Sequence, residues 1–557
     1  MAALPPQTKY IVGNEACERF SFYGMRSILT LYMTSMLLMS EKEAMAVSHL
    51  FIACIYILPM LGAWIADRFY GRYNTILYVS LFYCLGHGVL ALADLTGDID
   101  TKRTILITGL FIIALGAGGI KPCVSAFVGD QVEGLKDPVL MTRIYAAFYW
   151  SINFGSFFSF LIIPWVHQTL GYGWAFGVPG IFMAIATLVF WLGRKHYTHK
   201  QPMQPHFLRA LIGRIVMGPV RSRERYGDHA VSQATTTAIN IATFIVLAPI
   251  VILLGYWAYN GGRQLAQLSQ ASEVTASFSG LICLLLYVAA LVLAGLKLAS
   301  TLRLKSFFGV AGSMLFCRKA EVEATYQPKQ QVEARNMFRV LIVFLMIIPF
   351  WSLFDQTMSS WVLQGAKMES ISFSVFGADL QFNAEAMQSA NPLLVMILVP
   401  LLTLVCYPRM GRFATPLKRM GMGIVLAGLS YFVVAYLQTQ LDGGTRLSIL
   451  WQTLPYLILT ISEIFVSTTG LEYAYTAAGK NMKSIVLSFW YISSTLGNML
   501  VMYLSSVVHD PAGTSTFMLY GSLAVIIGLI FMFVTSRRRF QAEPYLDEEP
   551  ESTPDKA

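Results

Sequence analysis

The sequence has 557 residues, of which 55% are hydrophobic and only 13% are charged, and its mean hydropathy is +0.58. Soluble domains carry about 25% charged residues, so this composition excludes an ordinary water-soluble protein and favours a chain whose solvent is mostly lipid. The formal net charge of +9 therefore bears on membrane topology more than on nucleic-acid binding.

Stretches of about 20 mainly apolar residues can each cross a membrane as one helix. In chain order, six stretches lie at 16–39, 46–67, 74–93, 104–130, 143–166 and 174–193. Two more lie at 238–259 and 278–299. The last six lie at 338–363, 389–407, 418–438, 449–478, 484–508 and 515–535. The sequence therefore predicts an all-α integral membrane protein with 14 transmembrane helices, grouped as six, two and six.

This grouping predicts the domain organisation. We expect an N-terminal six-helix bundle at 1–195, a basic cytoplasmic linker at 196–237, two extra transmembrane helices at 238–300, a second cytoplasmic linker at 301–337, a C-terminal six-helix bundle at 338–540 and a disordered cytoplasmic tail at 541–557. Lys and Arg concentrate in the two linkers and at Arg537–Arg539, and cytoplasmic loops carry such an excess. Both termini are therefore predicted to be cytoplasmic. The basic run at 194–237 is either a solvated linker or a contact for anionic lipid.

A weak internal repeat relates the two six-helix halves. The loop after the second span reads ADRFYGR at 66–72, and the corresponding loop of the second half reads YPRMGR at 407–412. The first, with Gly62, Asp67, Arg68, Gly71 and Arg72, resembles a loop signature of the major facilitator superfamily. In transporters built from paired halves, the substrate site lies near the bilayer midplane between them.

Several ionisable residues lie inside predicted spans, where each costs about 2.5–3.5 kcal/mol on insertion scales. The first span carries Glu15, Glu18, Arg19 and Arg26 at spacings that place them on one helical face. Lys121 lies deep in the span at 104–130, beside a glycine-rich run. These charges need partners or a wet cavity.

The second half offers two lone acids, Asp355 and Glu463. Two lone bases of the first half, Arg26 and Lys121, are thus predicted to pair with them across the halves. Breaking a buried ion pair costs about 3–5 kcal/mol, which is enough to set a conformational equilibrium. We interpret the pairs as gates.

His49 is expected near the surface, at the start of the span at 46–67. An imidazole there is either an ordinary polar residue or a sensor of an acidic exterior, since histidine titrates between pH 5 and 8.

The segment EACERFSFYG at 15–24 resembles the E-x-x-E-R-F-x-Y-Y-G motif of the proton-dependent oligopeptide transporter family. Four further segments resemble signatures of the same family: GAGGIKPCVSAFVGDQ at 116–131, FYWSINFGS at 148–156, FWSLFDQTMSSW at 350–361 and SEIFVSTTGLEYAY at 462–475. The resemblance spans both halves. It implies the fold of the major facilitator superfamily and proton-coupled uptake of di- and tripeptides by alternating access.

The resemblance also implies roles for individual residues. Proton coupling would involve Glu15, Glu18, Arg19, His49 and Lys121. Peptide binding would involve Arg19, Tyr23, Arg26, Tyr56, Lys121, Tyr149, Asn153, Trp351, Asn391, Glu463, Ser467 and Trp490. The outer gate would be Arg26 with Asp355, and the inner gate Lys121 with Glu463. Arg26 and Lys121 would receive the peptide carboxylate, and Glu463, with Asn153 and Asn391, would receive the amino terminus. Fixed opposite charges that hold the two ends of a zwitterionic peptide would explain broad specificity for side chains.

Three features depart from the family pattern. Phe22 replaces the first tyrosine of the motif and removes one hydroxyl group from the expected site. His49 resembles a histidine of the animal members. The loop at 438–448 is too short for their large extracellular domain, and the two extra central helices are typical of bacterial members, so we expect a bacterial protein.

The predicted function is a proton-coupled peptide symporter of the bacterial inner membrane, with peptides, protons and lipid as partners and a monomer as the functional unit. The alternatives are an importer of another small solute, such as nitrate, and a peptide-sensing receptor. No enzyme activity, nucleic-acid partner, cofactor or metal is expected, because the seven cysteines form no C-x-x-C pair and no nucleophile–base pair or phosphate loop occurs.

Overall fold

A computed structural model describes residues 5–66, 70–132, 138–199, 328–375, 378–411, 415–470, 472–473 and 483–537. Residue contacts divide the chain into two compact units. The first comprises Met1–Ala210, Phe344–Glu472 and Leu487–Arg537. The second comprises Leu211–Val343, Tyr473–Val486 and Arg538–Ala557. Its described part is mainly helical, and there Arg339 donates to the side chain of Asn336 at 2.8 Å. All the predicted site residues belong to the first unit.

Six long helices form a first group. They are α1 (Pro6–Leu31), α2 (Glu41–Ile65), α3 (Arg72–Ala91), α4 (Ile99–Val132), α5 (Pro138–Leu170) and α6 (Tyr172–Leu192). One turn of π-helix, Tyr32–Met36, continues α1, and short 3₁₀ turns at Leu92–Leu95 and Gly193–Lys195 follow α3 and α6. Helix α1 packs against α5 and α6, α2 packs against α4, and α3 packs against α4 and α6.

The remaining helices form a second group. They are α7 (Pro328–Met346), α8 (Ile348–Phe354), α9 (Ser360–Ala366), α10 (Ala384–Met387), α11 (Ala390–Leu401), α12 (Tyr407–Arg409), α13 (Pro416–Asp442), α14 (Thr453–Glu463), α15 (Lys483–Val507) and α16 (Thr514–Thr535). A 3₁₀ turn, Asp355–Met358, separates α8 from α9, and another, Ile449–Gln452, precedes α14. Turns of π-helix at Leu402–Cys406 and Ile464–Thr468 follow α11 and α14. Helix α13 packs against α14 and α16, and α11 packs against α14.

Local sequence signals explain where the first helices begin. Ser40 caps α2 in a capping box, in which its hydroxyl accepts from the Glu43 amide at 3.3 Å and its own amide donates to the Glu43 carboxylate at 2.9 Å. Gly71, with φ of +77°, turns the chain into α3. This left-handed conformation favours glycine because it carries no Cβ.

Two strands, β1 (Ile371–Val375) and β2 (Ala378–Phe382), form an antiparallel hairpin between α9 and α10. The sequence pattern does not predict this hairpin. Apart from this hairpin, the described residues confirm the predicted all-α architecture. Ten of their helical segments are long and apolar enough to cross a membrane. The charged α1, with 26 residues, and α15, with 25 residues, have a comparable length.

Several predicted boundaries differ from the structure. Helix α7 begins at Pro328, whereas the second linker was expected to extend to 337 and the span to begin at 338. Helix α1 begins at Pro6 rather than near 16, because the charged residues that ended the apolar stretch belong to the helix. The two extra central helices at 238–300, most of both linkers and the tail at 541–557 lie outside the described residues.

Equivalent ion pairs occur at the starts of α3 and α13. Arg72 Nη1 lies 2.6 Å from Asp130 Oδ2, near the end of α4. Arg419 Nη2 lies 3.1 Å from Glu472 Oε2, beyond α14. The two pairs occupy corresponding positions in the two groups, in agreement with the weak repeat in the sequence.

The ends of the helices define two ends of the first unit. We call the end with the connection between α1 and α2 the 37–40 end, and the opposite one, where α1 begins, the Pro5 end. Arg103, at the start of α4, donates to the Leu37 carbonyl at 2.8 Å, which places the connection between α3 and α4 at the 37–40 end as well. His196, after α6, stacks on Tyr10 with ring centroids 5.4 Å apart and so lies at the Pro5 end.

Candidate functional site

A buried charge cluster lies on the face of α1. Glu15 and Glu18 are 1% and 0% exposed, and Arg19 bridges them, with Nε 2.6 Å from Glu15 Oε1 and 3.3 Å from Glu18 Oε2. The i, i+4 spacing of Glu15 and Arg19 makes this contact a local consequence of the helix. Two carboxylates and one guanidinium leave one negative charge to be neutralised, which a buried site requires.

Lys121 supplies a second positive charge from α4. It is 6% exposed and close enough to Glu18 and Arg19 to interact with both electrostatically. Its Nζ lies over the ring of Phe22 at 3.8 Å and over the ring of Tyr56 at 4.9 Å, as in cation–π contacts. Phe22, the residue that departs from the family motif, thus supplies the aromatic ring nearest to the ammonium group of Lys121.

With all four groups ionised, the charges of this cluster balance. Protonation of one carboxylate leaves a net positive charge inside the protein. The protonated cluster therefore attracts an anionic group, because a buried net charge is costly until it is compensated.

Arg26 and Asp355 form the buried contact between the two helix groups that the sequence predicts as the outer gate. Each is 4% exposed, and Arg26 Nη2 lies 3.5 Å from Asp355 Oδ1. Asn498, on α15, donates to Asp355 Oδ2 at 2.8 Å. The same amide lies 2.8 Å from Nδ1 of His49, whose Nε2 lies 2.8 Å from the hydroxyl of Ser359.

The expected surface position of His49 is wrong. Because α2 begins at Glu41, His49 lies two turns inside the helix and is 0% exposed. It is hydrogen-bonded on both ring nitrogens and belongs to the network of the Arg26–Asp355 pair rather than to the solvent boundary.

Glu463 ends α14 and is partly buried. Asn391 donates to its Oε2 at 2.8 Å and to Thr460 at 3.2 Å, so two of the residues expected to hold a peptide amino terminus already touch. The π-helical turn Ile464–Thr468 starts directly after Glu463. Such turns inside α-helices occur frequently at functional sites. Ser467 lies in this turn, and its buried hydroxyl has no hydrogen-bond partner among the described residues.

The predicted aromatic lining falls into two sets. Trp351 and Trp490 are 8% and 6% exposed and meet edge to face at 5.5 Å. Tyr23, Tyr56 and Tyr149 come from the first group, and Tyr149 is 40% exposed. Tyr56 stacks with Tyr491 across the two groups at 6.1 Å.

The structure keeps apart two residues that were predicted to pair. Lys121 forms no ion pair with a carboxylate of any described residue, and Glu463 is bonded to Asn391 instead. Asn153, expected near Glu463, donates to the Tyr149 carbonyl at 3.1 Å. Arg26 and Asp355 are thus in contact, whereas Lys121 and Glu463 are not.

The hydrogen bonds and ion pairs that join the two groups among the described residues lie toward the 37–40 end. Besides the His49 network, Thr30 donates to the Met358 carbonyl at 2.9 Å, and Gln388 donates to the Ser27 carbonyl at 3.1 Å. Lys367 lies 3.8 Å from Glu41 at the rim. The molecule is therefore shut at its 37–40 end.

Sequence reasoning missed Asn498 and the contact of His167 with Glu385, whose Nδ1 and Oε2 lie 3.2 Å apart. Asn498 carried a usable signal, since it is a lone amide within the apolar run SSTLGNMLVM at 493–502 and polar residues inside membrane spans are seldom without a partner. Glu385 lies in a connecting segment, where an acidic residue has no such significance.

Known proteins resemble this chain in sequence and in fold. The model of the POT family matches residues 73–240 and 313–523. A crystal structure of an auto-inhibited POT family peptide transporter is 37% identical, with a TM-score of 0.71, over 96% of this chain and 97% of that chain. A crystal structure of the POT family transporter PepTSo is 35% identical, with a TM-score of 0.73, over 98% of this chain and 100% of that chain.

Among curated proteins, solute carrier family 15 member 2 of Rattus norvegicus is 32% identical over 455 residues, which cover 79% of this chain and 50% of that protein. Peptide transporter family 1 of Drosophila melanogaster is 29% identical over 79% of this chain and 48% of that protein. The chain thus spans about half the length of the curated relatives it matches. Both matches to solved structures extend over nearly the whole fold, which is that of the major facilitator superfamily. This chain is therefore a multi-pass membrane protein that belongs to the POT family.

Proposed function

We propose that the protein is a symporter that imports di- and tripeptides together with protons, by alternating access and at the expense of the proton electrochemical gradient. The observation that carries this proposal is the unequal state of two charge pairs. Arg26 and Asp355 are in contact at 3.5 Å, whereas Lys121 and Glu463 do not form an ion pair with each other. A carrier that opens to one side at a time needs such alternation.

The orientation follows from the basic segments. With 194–237, 300–337 and Arg537–Arg539 on the cytoplasmic side, the Pro5 end and both termini are cytoplasmic, and the 37–40 end faces outward. The structure then represents a state closed to the exterior. The composition and the short loop at 438–448 support a bacterial inner membrane as the location, and we propose the monomer as the working unit.

In this proposal, Lys121 together with Arg26 would bind the carboxylate of a peptide, and Glu463 with Asn391 would bind its amino group. The aromatic side chains of Tyr23, Tyr56, Tyr149, Trp351 and Trp490 would line the space for peptide side chains, with Ser467 and Asn153 as polar contacts. Because the fixed charges recognise only the two ends of a peptide, selectivity for side chains is low.

The proton enters this scheme through the cluster on α1. Glu15 and Glu18 balance Arg19 and Lys121 only while both acids are ionised. Protonation of either acid leaves the positive charge of Lys121 uncompensated, and this favours binding of the peptide carboxylate. Departure of the peptide to the cytoplasm then favours loss of the proton. One charge moving across 100 mV supplies about 2.3 kcal/mol, equivalent to about a fortyfold accumulation of substrate.

Uptake into proteoliposomes tests the proposal. An inward proton gradient is expected to drive dialanine uptake, and Glu15→Gln and Lys121→Ala are expected to abolish the gradient-driven part. Arg446→Ala, at a residue whose side chain is 88% exposed, is the control and is expected to behave as the wild type. Uptake that is unchanged in both cluster variants would overturn the mechanism, and uptake of nitrate in place of dialanine would overturn the choice of substrate.

A further inference from the structure

A second contact between titratable groups crosses the two helix groups at the 37–40 end. His167 lies in the last turn of α5, and Glu385 lies on the short helix α10 of the second group. Their Nδ1 and Oε2 atoms are 3.2 Å apart. The side chain of Glu385 is 0% exposed, whereas that of His167 is 23% exposed. The contact is therefore buried on its acidic side and open to solvent on its basic side.

Both partners are held in place. Asn383 caps α10 by accepting from the Ala386 amide at 3.0 Å, and its amide lies 3.4 Å from Glu385 Oε2. The imidazole ring of His167 stacks on Tyr172 with centroids 3.9 Å apart. Glu385 Oε1 is buried and has no hydrogen-bond partner among the described residues. His167 is therefore the main group that offsets the cost of burying this carboxyl group.

Among the described residues, the titratable groups that interact with Tyr172 beside the pair are tyrosine or acidic side chains. Tyr172 of α6 faces both partners, and Tyr32 of α1 packs on Tyr172 at 4.8 Å. Asp94, in the turn after α3, accepts a hydrogen bond from the Gly173 amide beside Tyr172 and adds a further negative charge. No Lys or Arg of the described residues forms an ion pair with Glu385. Burying an ionised carboxylate without a cation costs several kcal/mol, so the closed arrangement requires one proton on the His167–Glu385 pair.

We propose that His167 and Glu385 form a proton-dependent latch, which favours closure of the 37–40 end when the solution on that side is acidic. The inference rests on the proposed function, because it assigns the latch to the outward face of an alternating-access carrier. When the end opens, the two residues separate with their helix groups and become hydrated, and the need for the shared proton disappears. Closure then takes up one proton.

The sign follows from linkage. A state that binds one more proton gains up to tenfold in population for each unit that the pH falls, as long as the open state leaves the pair unprotonated. The latch adds a step to coupling that is separate from the cluster on α1, since it acts on closure of the outer face rather than on substrate binding.

Distance measurements on the full-length protein in nanodiscs test the latch without peptide. Spin labels at Leu95 and Val507, which are 81% and 64% exposed, report the separation of the two groups at the 37–40 end. In a cysteine-free background, the ratio of closed to open molecules is expected to rise by up to tenfold per unit between pH 8 and pH 6. Glu385→Gln is expected to flatten this response, because an amide needs no proton to be buried.

His167→Gln provides a readout that a purely structural role would not give. The lone Glu385 must then be protonated itself for closure, so the pH response is expected to persist but to move to more acidic pH. His196→Gln, at the Pro5 end, is the matched control and is expected to leave the response unchanged. A closed fraction that does not vary with pH, or a Glu385→Gln response equal to that of the wild type, would refute the latch.

The two proposals fail separately. If the pH-dependent closure is observed but proteoliposomes take up no dialanine, the proposed function is wrong and the latch stands. If dialanine is taken up and Glu385→Gln changes neither the closed fraction nor its pH response, the latch is wrong and the proposed function stands.

Discussion

Replacing Asp355 with asparagine removes the charge of the buried Arg26–Asp355 pair while its shape is preserved. The carboxylate accepts a hydrogen bond from Asn498 at 2.8 Å, and the amide oxygen of an asparagine can accept the same bond. The substitution thus isolates the electrostatic contribution of the pair. Arg26 is 4% exposed in the closed arrangement, so its charge would be left buried and without a counterion.

The size of the effect follows from this burial. Removing one partner of a buried ion pair costs about 3–5 kcal/mol, and each 1.4 kcal/mol is about a tenfold change in an equilibrium constant. In the open state Arg26 is hydrated, so the cost applies to the closed state alone. Asp355→Asn is therefore expected to reduce the ratio of closed to open molecules at the 37–40 end by about two to three and a half powers of ten.

Spin labels at the 37–40 end measure this ratio directly, and proteoliposomes give the accompanying loss of uptake. Glu369→Gln is the matched control, because it also converts an acid to its amide and disrupts an ion pair, here with Arg446 at 3.6 Å. Both members of that pair are exposed, at 57% and 88%, and such surface pairs contribute about 0–1 kcal/mol. A variant Asp355→Asn that closes as readily as Glu369→Gln would refute the role of the buried pair as a gate.

Two further predictions concern neighbouring parts of the fold. Asn498→Leu removes one hydrogen-bond partner from the ring of His49 and one from the carboxylate of Asp355, at a cost of about 1–3 kcal/mol per unsatisfied group. We expect a shift toward the open state in the same distance measurement, and an unchanged distribution would contradict this prediction. Gly62→Ala places a Cβ 2.5 Å from the Gly118 carbonyl oxygen, so it is expected to lower the thermal stability in detergent. Gly88→Ala places a Cβ with no atom within 4 Å, so it is expected to be neutral or to stabilise the protein by up to about 1 kcal/mol. Equal melting temperatures of these two variants would refute the argument from close helix approach.

The charged face of α1 was predictable because its geometry is local. Residues three and four apart on a helix meet whatever the rest of the chain does, so the contact of Arg19 with Glu15 follows from their spacing. The cost of a charge in lipid likewise marked Lys121 and Asp355 as residues that need partners, although it gave no distances.

His49 and Glu385 show where this reasoning ends. The start of α2 depends on the cap at Ser40, six residues before the apolar stretch predicted to begin at 46, and this places His49 in the interior rather than near the surface. Glu385 lies in a polar connection whose sequence has no periodicity, and its burial depends on the packing of α10 against α5. Its partner is more than 200 residues away in the chain, and no local pattern encodes that contact.

The sequence by itself determined that this is a membrane protein and which residues of its apolar stretches are charged, since composition and helical spacing are properties of neighbouring residues. Only the tertiary structure decided which of those charges meet. Arg26 contacts Asp355 and Lys121 does not contact Glu463, because each contact depends on how the two groups of helices pack against each other. The proposed transport requires the same sequence to permit both arrangements.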